Sequence, residues 1–101
     1  MQTLNIDPAD FFEVLTGTNR SQAATIALAP GQSTGGPDNR HARSDQWLYV
    51  LAGVGTGVVA GCEVELRPGT LLLIEAGDAH ELTNTGTDAL KTLNLYAPPA
   101  Y

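Results

Sequence analysis

The sequence has few of the features that mark secreted, membrane-bound or nucleic-acid-binding proteins. Its 101 residues include one cysteine, Cys62, so no disulfide can form within the chain. Five basic residues stand against eleven acidic ones, and the net charge of −6 disfavours a phosphate backbone as partner. The longest apolar run, residues 71–74, is too short to cross a bilayer, and residues 1–7 do not resemble a signal peptide. These absences predict a cytoplasmic protein that binds neither nucleic acid nor membranes.

The length of the chain limits its architecture. A chain of 101 residues has room for one hydrophobic core, and 43% of its residues are hydrophobic. We therefore predict a single domain over residues 1–101, with its core within residues 22–97.

Short apolar segments separated by turn residues dominate the chain after its first 20 residues. Strands are predicted at residues 22–28, 46–51, 58–59, 63–66, 70–74, 80–83 and 89–96. Gly and Pro mark the turns between them. Residues 31–45 are polar and show no periodicity, which predicts a long loop of the kind that often carries function. No helical segment lies between the strands, so the pattern predicts an antiparallel all-β barrel or sandwich.

The segment before the first of these strands allows two structures. Asp7 is a suitable N-cap, Pro8 suits the first helical position, and Gly17 could end the element, which predicts a short helical turn or arm. The apolar residues 11–15 equally fit an edge strand.

The second half of the chain resembles the cupin superfamily in one specific motif. That motif is Gly, five residues, Pro, one residue, Gly, two residues, His, three residues, Asn. The chain has Gly69, Gly77, His80 and Asn84 at these spacings, with Glu75 in place of the proline. The resemblance implies a small single-domain cupin, an antiparallel double-stranded β-helix or jelly-roll barrel, in which His80 points into an internal pocket.

The first cupin motif, which carries His-x-His and then Glu, is matched only in part. Gln46 stands where the motif has its glutamate. Counting forward along the motif makes His41 the first histidine and Arg43 the second. Counting back from Gln46 makes His41 the second histidine and Asn39 the first. Either register keeps one histidine.

The resemblance implies that these positions hold a divalent metal inside the barrel. Carried over by position, the candidate ligands are His41, Gln46 and His80. Imidazole nitrogens suit zinc, iron, manganese, nickel or copper. The amide of Gln46 compensates less charge than a carboxylate would, so the ion should bind less tightly than at a complete site. Gln46 is equally readable as a buried amide without metal.

Four further residues are candidates for the pocket or its supporting hydrogen bonds: Asn39, Arg43, Asp45 and Asn84. Asp45 could restore the missing charge, but neighbouring side chains of a regular strand point to opposite faces. Asn84 could hydrogen-bond His80, and Arg43 could attract an anionic substrate or simply be solvated.

Alternation in the strand at 46–51 predicts an outward apolar face, and the cupin resemblance then implies a homodimer. If Gln46 faces the pocket, then Trp47, Tyr49 and Leu51 face outward. Large apolar residues in that position need a cover. The cover is either the chain's own Phe11 and Phe12 or, since cupins frequently dimerise, a second subunit.

Two functions follow from these observations. The first is a metal-dependent cupin that acts on a small organic molecule, with chemistry of the oxygenase, isomerase or decarboxylase type that the resemblance implies. The second is a metal-free module that binds or senses a small ligand without catalysis, as the lost histidine and glutamate suggest. Which molecule is bound, and whether it is turned over, is left open by the sequence.

Overall fold

Nine β-strands form two antiparallel sheets in the computed structural model, which describes residues 1–36 and 40–101. The strands are β1 Phe12–Gly17, β2 Gln22–Leu28, β3 Ser33–Thr34, β4 Asp45–Ala52, β5 Gly55–Val59, β6 Cys62–Leu66, β7 Leu71–Ile74, β8 His80–Asn84 and β9 Leu90–Ala97. One sheet has the order β1-β2-β9-β4-β7 and the other the order β3-β8-β5-β6. This is the predicted all-β, jelly-roll architecture. Within the described residues, no helix has the length and apolar character needed to cross a membrane.

The predicted N-terminal helical turn is wrong, and the alternative edge strand is what forms. β1 pairs antiparallel with β2, from Phe12 opposite Ile26 to Gly17 opposite Gln22. This pairing satisfies the backbone of β1, whereas a short helix would leave most of its terminal N–H and C=O groups without partners. The capping signal of Asp7 and Pro8 is therefore overridden by long-range sheet pairing.

The turns follow the predicted positions closely. Ala60 and Gly61 both have positive φ, 49° and 80°, and join Val59 to its partner Cys62. Two consecutive positive φ values make a type I′ turn, whose twist matches that of a β-hairpin. In the predicted polar loop, the two residues of β3 pair with β8.

The core lies between the sheets. Its buried cluster joins side chains of both sheets: Ile26, Leu28, Leu48, Val50, Leu66, Leu82 and Leu90. Gln46, Leu48 and Val50 are buried along β4, while Trp47 and Tyr49 between them are about two-fifths exposed. The predicted alternation of β4 is thus confirmed.

Candidate functional site

A cavity of about 260 Å³ opens between the sheets next to the leucine-rich core, with which it shares Ile26 and Leu82. Strands of both sheets and the segments that flank them contribute its walls. Its polar side chains are Thr34, His41, Gln46 and His80. The remaining wall is apolar or aromatic: Phe11, Phe12, Ile26, Gly35, Leu82, Tyr96 and Tyr101. All three predicted ligands therefore line one cavity.

His80 is the buried imidazole of this site. It begins β8, where the glycine-containing turn after β7 brings the chain back into the sheet, and its side chain is 4% exposed. Its Nδ1 lies 3.1 Å from the carbonyl oxygen of Asp78. A carbonyl only accepts, so Nδ1 is the donor in this contact, and the neutral tautomer with the proton on Nδ1 has its lone pair on Nε2. His80 can therefore accept a hydrogen bond or bind a metal through Nε2.

His41 reaches the same cavity from the loop before β4. Its backbone carbonyl accepts a hydrogen bond from Gly77 N at 2.8 Å, which ties the loop to the turn before His80. The two imidazole rings have centroids 5.2 Å apart. Burial, and secondarily the proximity of His80, lowers the pKa of His41 below its ordinary value of 6.5. His41 is consequently a neutral imidazole at pH 7.

Gln46 is buried, and only half of its amide is satisfied. Its Nε2 donates to Asn94 Oδ1 at 3.1 Å, and Asn94 Nδ2 donates to Thr92 Oγ1 at 3.0 Å. Its Oε1 is the one buried side-chain polar atom without a hydrogen-bond partner in the described residues. An unpaired buried acceptor costs free energy, so a ligand that satisfied Oε1 would recover part of that cost.

The fit of these residues to a divalent ion is partial. Two imidazoles 5.2 Å apart between centroids suit one transition metal, and Gln46 supplies a nearby amide oxygen. All three donors are neutral. In the described ranges, no group of three or more His, Cys, Asp or Glu side chains is placed to hold a metal. The site thus fits a divalent ion only as a neutral ligand set, which predicts weak binding.

The other predicted site residues lie away from the cavity. Asp45 Oδ1 accepts a hydrogen bond from Ala76 N at 2.9 Å and is not on the cavity wall. Arg43 lines a separate, more open depression that also borders His41. Asn84 donates to the carbonyl oxygens of Leu28 and Asp88, both at 2.8 Å, and so stabilises the turn before β9 instead of contacting His80. Asn39 lies outside the described residues.

The aromatic wall was not predicted from the sequence. Phe11 and Phe12 were one of the two alternatives for covering the outside of the barrel, yet they line the cavity. Tyr96 is 1% exposed on the inner face of β9. A period-two pattern in β9 groups Thr92, Asn94 and Tyr96, but nothing local shows that this polar face is the inner one.

Comparison with known proteins gives the same architecture. A protein from Bacillus halodurans, BH2720, is 28% identical with a TM-score of 0.84, over 90% of this chain and 72% of that one. A predicted oxalate decarboxylase from Thermotoga maritima is 25% identical, TM-score 0.79, over 87% and 79%. KdgF from Halomonas sp. shares the fold at 24% identity, TM-score 0.77, over 87% and 77%.

A family model allows the chain to be assigned to a family, because it matches the sequence and not only the fold. The model described as "Cupin domain" matches residues 24–96, which include most of the strands and all three candidate ligands. The match covers well over half of the chain, and the jelly-roll sheets and inward His80 agree with it. The chain therefore belongs to the cupin family.

Proposed function

We propose that this cupin binds a small, uncharged organic molecule in its internal cavity. The observation that carries the proposal is a cavity of about 260 Å³ in which a few buried polar groups are set into apolar and aromatic walls. Ligand sites typically have this composition, and the volume is near the lower end of their range. The described wall holds no carboxylate, lysine or arginine side chain, and burial favours the neutral form of His41.

The absence of lysine and arginine from the described cavity wall also bears on the charge of the ligand. Oxalate, the substrate named for the predicted decarboxylase from Thermotoga maritima, is a dianion. A buried anion without a cationic partner pays a large desolvation cost. We therefore do not extend that substrate to this protein and favour neutral molecules.

The test is a screen of small neutral and anionic fragments by protein-observed NMR. We expect neutral fragments to shift the resonances of cavity residues such as Leu82 and Tyr96. His80→Ala should weaken this binding roughly tenfold, as expected for a lost buried hydrogen bond. Tyr49→Ala, on the outside of the barrel, is the matched control and should leave it unchanged. If no fragment shifts cavity resonances, or if anions bind best, the proposal is wrong.

A divalent metal in the same cavity is the second candidate, and the pairing of His41 with His80 is what supports it. His41 and His80 would bind the ion through imidazole nitrogens, with Gln46 Oε1 as a neutral third ligand. A bound ion would supply Lewis-acid or oxygen-activating chemistry. The chain's own contribution would be to orient the imidazoles through Asp78 and Gly77 and to keep water away with its aromatic wall.

The metal proposal is tested by elemental analysis of protein purified without an affinity tag, followed by calorimetric titration with Zn²⁺ and Mn²⁺. His80→Ala should abolish any bound metal. Gln46→Glu, which restores the acidic position of the motif, should raise the affinity at least tenfold by adding a negative charge. Background metal in the wild type, together with no gain in Gln46→Glu, would leave the cavity as a metal-free binding site.

The predicted homodimer and the cytoplasmic location stay predictions, and one surface supports the first of them. The outer face of β4, β7 and β9 carries a patch of seven apolar or aromatic residues, with Asp45 and Lys91 at its margins: Trp47, Tyr49, Leu51, Leu71, Leu73, Leu93 and Leu95. Phe12 does not cover this face, because it lines the cavity. Two copies of this apolar patch can stack against each other without burying an unpaired charge, while Asp45 and Lys91 stay at the margin.

Light scattering at micromolar concentration tests the homodimer. We expect the mass of two chains for the wild type and of one chain for Leu73→Lys, which would bury two ammonium groups in the interface. Glu63→Lys, at an exposed position of β6 in the other sheet, is the control. A wild type with the mass of one chain would rule the homodimer out.

A further inference from the structure

Tyr101 forms the outermost part of the aromatic wall. Its ring centroid lies 4.7 Å from that of Phe12 and 5.3 Å from those of both His41 and Tyr96. Its hydroxyl lies 3.3 Å from His41 Nε2. The contacts to His41 and Tyr96 are edge-to-face, with interplanar angles of 76° and 77°. Tyr101 thus joins three segments that are distant in sequence, β1, the loop before β4 and β9.

Gln22 fixes the backbone that carries this ring. It stands at the start of β2 and is 9% exposed. Its Nε2 donates to the Tyr101 carbonyl oxygen at 2.8 Å, while its Oε1 accepts from Ala100 N at 3.2 Å and Tyr101 N at 3.1 Å. The nitrogen and the oxygen of this one buried amide both hydrogen-bond to the backbone of the consecutive residues Ala100 and Tyr101. Such a double attachment holds the segment against β2 and determines where the tyrosine ring can lie.

We propose that Tyr101 is a specificity-determining residue of the cavity, which selects a planar aromatic ligand by stacking, and that Gln22 is the residue that positions it. The inference rests on the proposed function and names the class of ligand. Four of the cavity's wall residues are aromatic, against two aliphatic ones, Ile26 and Leu82.

Ring geometry supports an aromatic over a saturated ligand. Aromatic rings attract one another in edge-to-face and offset arrangements beyond the area they bury, which is worth roughly threefold to tenfold in affinity. Because Tyr101 contacts Phe12, Tyr96 and His41 at tilted or edge-to-face angles, the rings cannot stack flat on one another. A planar aromatic ligand in the cavity can therefore form edge-to-face and offset contacts with these rings. A saturated ring of the same size gains only the burial of its surface.

The specificity test compares p-cresol with 4-methylcyclohexanol, which share size and hydroxyl group but differ in the ring. Binding to the full chain is measured by NMR titration. The wild type and Tyr101→Phe should both prefer p-cresol by roughly threefold to tenfold. Tyr101→Leu, which keeps bulk but removes the ring, should lose most of that preference. A preference unchanged in Tyr101→Leu would overturn the role of Tyr101.

The positioning role of Gln22 has a readout that needs no ligand. Gln22→Ala should accelerate hydrogen exchange at the Ala100 and Tyr101 amides and speed the reaction of His41 with diethyl pyrocarbonate several-fold. Gln32→Ala is the matched control, because the Gln32 amide accepts only a local hydrogen bond from Ala29 N at 3.0 Å. Unchanged exchange and unchanged His41 labelling in Gln22→Ala would overturn the role of Gln22.

The two proposals fail in different ways. If the wild type binds 4-methylcyclohexanol as well as or better than p-cresol, the selection of aromatic ligands is wrong while the binding function stands. If neither these probes nor any fragment shifts the cavity resonances, the proposed function is wrong and the ligand selectivity with it. The hydrogen-exchange result still decides whether Gln22 positions Tyr101.

Discussion

Near the cavity, the inner face of the five-stranded sheet carries polar residues and its outer face carries apolar ones. On β9, the inward residues are Thr92, Asn94 and Tyr96, whereas Leu95 points outward and is 45% exposed. A sheet normally turns its apolar residues inward. The inner polar groups are tolerated because Gln46, Asn94 and Thr92 hydrogen-bond to one another. Polar groups on the inner face at this end and apolar residues on the outer face are therefore the two features on which the proposed ligand site and the proposed homodimer rest.

The largest expected effect is the difference in stability loss between a leucine in the core and a leucine on the outer face. Leu48→Ala, which empties a fully buried position in β4, should lower the free energy of unfolding by about 2–5 kcal/mol. Leu95→Ala on the outer face is the control and should cost about 0.5 kcal/mol in the isolated chain. Urea denaturation at low protein concentration measures both. Equal losses in the free energy of unfolding would contradict the distinction between a packed inner face and an exposed outer face.

An intermediate effect is expected from the polar chain on the inner face. Asn94→Ala removes the acceptor of Gln46 Nε2 and should cost about 1–3 kcal/mol, because a buried donor is left unpaired. The double variant Gln46→Leu with Asn94→Leu should recover much of this loss, since neither amide of the pair is then left buried without its partner. Urea denaturation of the single and double variants gives the coupling. Additive losses would contradict the hydrogen-bonded chain.

The smallest effect is a pH dependence that comes from the cavity alone. The pKa of His41 is lower in the folded protein than its unfolded value of 6.5, chiefly through burial, so the unfolded state binds the proton more readily. The contribution of His41 to stability is therefore present above that value and is lost as the pH falls through the folded pKa. His41→Asn should show a weaker decline. Denaturation of chelator-treated protein between about pH 8 and about pH 5.5 checks this, and identical slopes would contradict it.

The fold and part of the candidate site could be predicted from the sequence. The physical reasons differ between the two. The glycine and histidine spacing of the second motif is local, and it correctly predicted a jelly roll with His80 buried. Alternation in β4 was readable because Gln46 fixed which face was inside. In β9 the register depends on pairing with both β2 and β4. Hydrophobicity alone would have turned its leucines inward.

The aromatic wall could not be predicted because its members meet only through the tertiary fold. Phe12 and Tyr101 are 89 positions apart in the sequence, yet their rings are in contact. Their meeting depends on β1 forming an edge strand, which the helix-capping signal of Asp7 and Pro8 obscured. The attachment by Gln22 is similarly non-local. Sequence patterns describe which face a residue prefers, but not which distant segment closes over that face.

Trp47 is an intrinsic fluorescence probe of the outer face. It is the only tryptophan of the chain, and it lies on the outer face, 42% exposed, opposite Leu73 and Leu95. Its fluorescence emission should shift to the blue when that face is covered, because the indole leaves water. The cavity is on the other side of the sheet, so ligand entry should leave the emission maximum almost unchanged. A single dilution series read at one excitation wavelength can thus follow self-association separately from occupancy of the cavity.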